Sequence, residues 1–269
     1  MIVPNKDLDA ENVPLGEGLP TKEELIAHYP AKFTWQHMKT FVNSGDLGLL
    51  KRDKALQKRY DDWAVGIREQ YGSIVDYLVN HRLQWGKRDT LSLLPSSLED
   101  DPRFYASSDS SGATTPPAYF SVDTPPEYIS IIQNDWPYSV PTEAEHTLIW
   151  TKVPIYHPDL VDAKVKARID QDGLWGFTGD ASPPPSPSTL PSCLPALSEW
   201  GVTLDNMITS EKGTQEEEEL VRKAGEKVHE YVKIRWREDA WETAWFVNPP
   251  RLQSVPGLAH IHVFARRLA

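Results

Sequence analysis

Apolar side chains return every three or four residues along 51–85: Leu56, Tyr60, Trp63, Ile67, Tyr71, Ile74 and Leu78 make one stripe. The charges of KRDKALQKR fall largely on the opposite, solvated face. Gly72-Ser73 interrupts the pattern, since glycine suits a helix C-cap and serine an N-cap, so two consecutive helices are expected. Upstream, TKEE from Thr21 to Glu24 is a capping-box start, and TWQHMKTFV offers a second. Further along the period changes. EYISIIQ, HTLIWTKV, WETAWFVN and LAHIHVFA are short, apolar and rich in β-branched or aromatic residues, which predicts strands. Between the second and third of these, TQEEEELVRKAGEKVHEYVKIRW reads as a long helix. Its glutamates 216–219 sit at the positive end of the helix dipole, and Leu220, Val221, Ala224, Val228, Tyr231 and Val232 form its buried side. The pattern predicts an α+β fold: an N-terminal helical layer packed with a C-terminal antiparallel sheet and a long helix.

Three stretches show no period. Residues 1–20 are polar, with little to bury, and predict a disordered arm. Residues 91–117 are rich in serine, proline and acid, and 181–195 in proline and serine, which predicts disordered insertions over a surface. The SPPPSP core of the second could also offer a polyproline ligand. The expectation is therefore one α+β domain over 21–269 carrying both insertions.

Composition narrows the function classes. The 269 residues can bury a sizeable core, and 39 % hydrophobic content with 10 % aromatics suits a globular protein. A net charge of -11 gives no basic footprint for a phosphate backbone, so no nucleic-acid partner is expected; a single nucleotide or sugar stays open. The one cysteine, Cys193, excludes intrachain disulfides and multi-thiolate zinc sites. No apolar run approaches the roughly 20 residues that span a bilayer, and the N-terminus has no apolar signal region, so a cytoplasmic protein without a membrane partner is expected. The oligomeric state stays open.

Phosphate-loop, GxSxG, HExxH, CxxC and GxGxxG signatures are absent, and DQDG at 170–173 is better read as a turn than a calcium loop. The remaining chemistry lies in HIHVF. On a strand, His260, His262 and Phe264 share one face, with the imidazoles roughly 7 Å apart along it. Three readings follow: a half-exposed strand with histidines at its rim, a metal site completed by His146 or His157, or a catalytic strand. Only seven residues follow His262, which disfavours a metal site drawing its later ligands from downstream, so neither a metal ligand nor a cofactor is assigned.

The block WFVNPPRLQSVPGLAHIHVF, with asparagine, then Q-S-V, then H-x-H, resembles the histidine-triad (HIT) nucleotide-binding superfamily. HTLIWTKVPI resembles that superfamily's strand ending in lysine, with the long helix falling between the two. The resemblance implies a HIT-like sheet in which His262 is the nucleophile beside His260, Gln253 and Ser254 hold phosphate oxygens, and Asn248 contacts phosphate or ribose. Amide and hydroxyl donors can stabilise charge developing on phosphorus. Two departures stand out: Phe264 occupies the third triad position, and PGLA adds about three residues before the H-x-H, enough to displace the phosphate-contacting groups.

A resemblance over about 21–90 and 118–266 joins TWQHMKTFV, YGSIVDYLVNHRLQWG, IIQNDWPYSVPTEAEHTLIWTKVPI and NPPRLQSVPGLAHIHVFAR. Together they resemble the fungal N-acetylglucosamine-induced protein family, a domain of unknown function. It implies a cytoplasmic protein tied to amino-sugar metabolism and brings no reaction. In NDWPYSVP, Trp136 or Tyr138 could stack on a base or sugar, or pack as core; His146 and Lys152 would support the sheet edge or an anion, and His157 a helix start. The expected function is a nucleotide- or nucleotide-sugar-binding HIT-like protein of the amino-sugar response, as a phosphoramidate or pyrophosphate hydrolase or transferase. The alternatives are a non-catalytic regulatory or interaction protein with a degenerate site, and a metal-dependent enzyme using the H-x-H pair.

Overall fold

The computed structural model describes residues 8–105, 115–179, 184–207, 211, 213–253, 255 and 258–268. Four helices open it: α1 (Lys22–His28), α2 (Trp35–Ser44), α3 (Lys54–Tyr71) and α4 (Ile74–Tyr77), the last running into a π-helical turn, Leu78–Arg82. The expected capping box forms at Thr21, where the side chain accepts from the Glu24 N–H and Glu24 answers the Thr21 N–H. α3 stops at Gly72, whose φ of 83° is left-handed, and Ser73 caps α4 by accepting from the Asp76 N–H.

Two strands follow, β1 (Ile129–Gln133) and β2 (Ala144–Thr151), then α5 (Lys166–Asp172), β3 (Leu174–Thr178) and the short α6 (Leu194–Leu197). The chain ends with α7 (Gln215–Ala224), α8 (Glu226–Arg235), β4 (Trp241–Val247) and β5 (His260–Arg267). All pairings are antiparallel, in the order β1-β2-β5-β4-β3. The expected α+β architecture holds. No helix among the described residues is long and apolar enough to cross a membrane.

β5 lies in the middle and is covered on both faces. Ile261, Val263 and Ala265 meet Val228, Tyr231 and Val232 of α8 in one core. Phe264 meets Met38, Phe41 and Val42 of α2, together with Leu190 and Leu197, in a second. His260, His262 and Phe264 share this second face, as the alternation predicts, but the strand is buried from His260 to Ala265 rather than half-exposed.

β3 is absent from the pattern of apolar positions because LWGFT is short and carries a central glycine. A Cβ at Gly176 would sit 2.6 Å from the Trp245 ring, and one at Gly225 3.0 Å from it. Trp245, fully buried, thus lies between these two glycines, and Gly225 divides the expected single helix into α7 and α8.

In the described parts of the non-periodic stretches, a few side chains and hydrogen bonds reach the folded elements. Arg59 donates to the Gly18 and Leu19 carbonyls, and the Gly16 N–H to Glu24, so 8–20 lies along α1 and α3. Pro187–Cys193 is a 3-10 helix whose Leu190 and Cys193 are buried against α2, and Phe104 packs edge-on to Tyr231. Single apolar anchors hold these segments, and single anchors leave no period to read. His157, expected to start a helix, instead closes a turn by accepting from the Asp159 N–H.

A buried ion pair ties α2 to the sheet. Lys39 meets Glu242 at 3.2 Å with both side chains about 5 % exposed or less, and Arg266 donates to the other carboxylate oxygen at 2.8 Å. Burial alone would raise the Glu242 carboxyl, but the hydrogen bond from Arg266, with the charges of Arg266 and Lys39, holds it below the usual range. Glu242→Ala would remove the carboxylate that Lys39 and Arg266 share, and urea unfolding should report a loss of about 1.5–3 kcal/mol, the range for hydrogen bonds to charged groups. The lowered carboxyl also makes the pair's contribution complete above the unfolded pKa and lost as pH falls through the folded one, so the gap between variant and wild type should close in acid.

Candidate functional site

Register assembles the site. Across β2 and β5, Trp150 faces His260, Leu148 faces His262 and His146 faces Phe264; across β4, Phe246 faces His262. All these side chains project from one face, so His146 becomes the diagonal neighbour of His262. The His262 ring stacks on Phe246 at 4.4 Å and 8°, and His260 on Trp150 at 4.0 Å and 19°. The His260 and His262 rings are 4.7 Å apart, closer than the rise along the strand suggests, because the side chains lean together.

The three histidines are 4–5 % exposed, and this fixes their charge. Burial pushes the His262 and His146 imidazoles well below their usual range; neighbouring histidines add to it at His262, and Arg52 and His260 at His146. Burial lowers His260 to about 4. All are neutral at pH 7, so each ring has one donor and one acceptor nitrogen.

Hydrogen-bond direction then assigns the tautomers. The Tyr138 backbone N–H, which can only donate, meets His146 Nδ1 at 3.4 Å. Asn134 Oδ1 accepts from the Trp136 N–H, which turns the amide nitrogen toward the same Nδ1 at 3.3 Å. With Nδ1 accepting, His146 carries its proton on Nε2 and donates to His262 Nδ1 at 3.0 Å. His262 therefore carries its own proton on Nε2; the Asn248 side-chain Nδ2 lies 3.4 Å from that nitrogen, and a hydrogen bond between them in this tautomer requires the amide to turn its oxygen inward. A nitrogen attacks through a lone pair, and this tautomer leaves none on Nε2.

The structure brings together His260, His262, Asn248 and Gln253, whose side-chain amide donates to the Asn248 carbonyl at 3.5 Å. Ser254 lies outside the described residues. Lys152 follows the end of β2 beyond Trp150, its ammonium 4.3 Å over the Trp85 ring. Trp136 is buried 5.4 Å from Tyr60 and 5.2 Å from Trp63, so it anchors its loop to α3 as core. His146 sits on an inner strand, not the sheet edge. Its partnership with His262 escapes sequence reasoning because strand order is not written in either strand; only the shared parity of 146, 148 and 150 hints at a common face. His260 Nδ1 is buried without a hydrogen-bond partner. Among the described residues no group of three or more His, Cys, Asp or Glu side chains could hold a metal ion.

Each buried histidine stays neutral in the fold while its unfolded counterpart takes up a proton below about pH 6.5. The histidines' contribution is therefore complete above that pH and is lost as pH falls. Between pH 6 and 5, urea unfolding should show His260→Phe losing about 1 kcal/mol less stability than wild type. Identical losses would show that His260 does not titrate this way.

Three comparisons place the chain. It is 25 % identical over 241 residues to N-acetylglucosamine-induced protein 1 of Candida albicans, covering 87 % of this chain and 68 % of that protein. A solved structure titled "Crystal Structure of HTC1" is 19 % identical, with 88 % of this chain and 86 % of that one covered, at a TM-score of 0.36. The family described as "Protein of unknown function (DUF3605)" matches residues 34–171 and 205–266, and on that match the chain belongs to it.

Proposed function

We propose that this chain is a cytoplasmic nucleotide- or nucleotide-sugar-binding protein linked to the amino-sugar response, which holds its ligand at a HIT-like site without hydrolysing it. The observation that carries the reading is the direction of the relay. Two fixed donors at His146 Nδ1 put the His262 proton on Nε2, so that nitrogen donates a hydrogen bond and does not attack phosphorus. The His262 N–H and the Asn248 and Gln253 amides are neutral donors of the kind that bind phosphate oxygens, and a phosphate would take over contacts they now make with one another. Lys152 supplies positive charge beyond the same end of β2. The element order supports the HIT resemblance, with α7 and α8 falling between the strand preceding Lys152 and the H-x-H strand. The relative's printed name supports the link to amino sugars.

A catalytic reading draws on the same gathering of Asn248, Gln253, His260 and His262 around one ring. It requires the His262 proton to move to Nδ1, against both donors at His146. Phe264 adds no second imidazole, since it packs 4.4 Å from the His146 ring and 5.9 Å from Phe246.

Thermal unfolding with AMP, ADP and a UDP-linked amino sugar separates these readings. Ligand at a hundredfold above its Kd should stabilise the fold by about 2.7 kcal/mol, and Asn248→Ala should weaken that gain. Nucleoside monophosphate release should be equally absent in wild type and His262→Ala. No stabilisation by any of the three ligands at millimolar concentration would end the binding reading. Release that stops in His262→Ala would establish the catalytic one.

A further inference from the structure

A cavity opens beside His146. Its cavity volume is about 90 Å³, below the roughly 300–1,000 Å³ of drug-sized sites, which limits an occupant to one small ring. Leu25 and Ile26 of α1, Leu56 of α3, Pro137 and Val140 give it apolar walls. Asn134, Gln133, Tyr138 and His146 supply its polar wall. His260 and His262 do not line it, so the cavity is separate from the site at the other end of the relay.

The rim decides the charge of an occupant. Asp53 is committed, capping α3 at the Ala55 and Leu56 N–H groups and facing Lys32 at 3.7 Å. Glu145 is committed too, accepting from Ser96 and Ser97. With exposed Lys22 at the same mouth, the charges nearly balance, which favours neither an anion nor a cation. Apolar walls with one amide-and-imidazole edge suit a flat, neutral ring carrying a hydrogen-bonding atom.

The polar wall is also the outer end of the relay. Asn134 and the Tyr138 N–H hold His146 Nδ1, and the Nε2 of the same ring donates to His262. Tyr138 lies parallel to His262 at 5.9 Å and 12°. A molecule hydrogen-bonded to Asn134 or His146 competes with those two donors, and His262 lies one hydrogen bond away.

We propose that this cavity binds a small, uncharged, single-ring molecule whose polar edge pairs with Asn134 and His146, and that its occupancy changes the His146–His262 hydrogen bond. The proposal rests on the cavity and the relay, and does not require nucleotide binding at His262.

Imidazole ¹⁵N shifts report which ring nitrogen carries the proton, so titrations of the full chain followed by NMR are the test. Benzamide is the neutral probe; benzoate and benzylamine are its anionic and cationic counterparts. Benzamide at millimolar concentration should move the His146 and His262 ¹⁵N shifts together in a saturable way, with the charged probes at least tenfold weaker. Ile26→Trp, which fills the cavity from the surface helix α1, should abolish the response while keeping the wild-type amide spectrum. No saturable shift at His146, an equal response in a folded Ile26→Trp variant, or tighter binding of a charged probe would overturn the proposal. If His146 moved while His262 stayed fixed, the coupling to His262 would be overturned. Because nucleotide is absent throughout, this outcome is independent of the nucleotide reading.

Discussion

β5 is covered on both faces, and the chemistry of this molecule follows from that burial. A strand in the middle of a sheet, with α8 on one side and α2 on the other, sits in surroundings where a charged imidazole is costly. His260 and His262 on this strand, with His146 beside them, are therefore neutral. Neutral rings each have one donor and one acceptor, so a single obligatory donor at one end fixes every proton along the chain. The Tyr138 backbone N–H is that donor, and the order it sets places the last proton on His262 Nε2, beside Asn248.

The same burial accounts for Phe264. Its neighbours on the sheet face are Phe246 and His146, and Met38 and Phe41 of α2 pack in the same core. A third imidazole there would lie against Phe246, Met38 and Phe41 and beside a His146 ring whose two nitrogens already have partners, and leaving a buried polar group unpaired costs about 1–3 kcal/mol. Phenylalanine instead completes the core that holds α2 on the sheet. The position that the HIT resemblance assigns to chemistry is used for packing, while the residues around the His262 nitrogen keep polar partners.

Periodic segments were legible in the sequence because their burial is periodic. The stripe of α3, the stop at Gly72, the capping box at Thr21 and four of the five strands are each decided by residues a few positions apart. What was hidden depends on distant partners. β3 exists because Gly176 lets Trp245 lie close, and the packed proline-rich segment is held by Leu190 and Cys193 against α2, far away in the chain. Part of the geometry was legible: the shared face of His260 and His262 follows from alternation, while Asn248 lies beside the His262 ring and Gln253 reaches the Asn248 backbone carbonyl. His146 required the β2–β5 register, and no local pattern encodes it.

That register also gives the most distinctive stretch of the sequence, NDWPYSVP, a physical role. Asp135 forms an ion pair with Arg82, a side chain 1 % exposed that also grips Asp89, so the turn is tied to the π-helical end of α4. Trp136 is wedged between Tyr60 and Trp63 of α3 while its carbonyl accepts from Arg52. With the loop pinned at these two residues, Asn134 bonds the Trp136 N–H and turns its amide toward His146, and the Tyr138 N–H points at the same nitrogen. Residues that read as a candidate base-stacking platform thus act through the backbone. They hold a loop still, the loop sets one imidazole tautomer, and that tautomer decides whether His262 offers a proton or a lone pair.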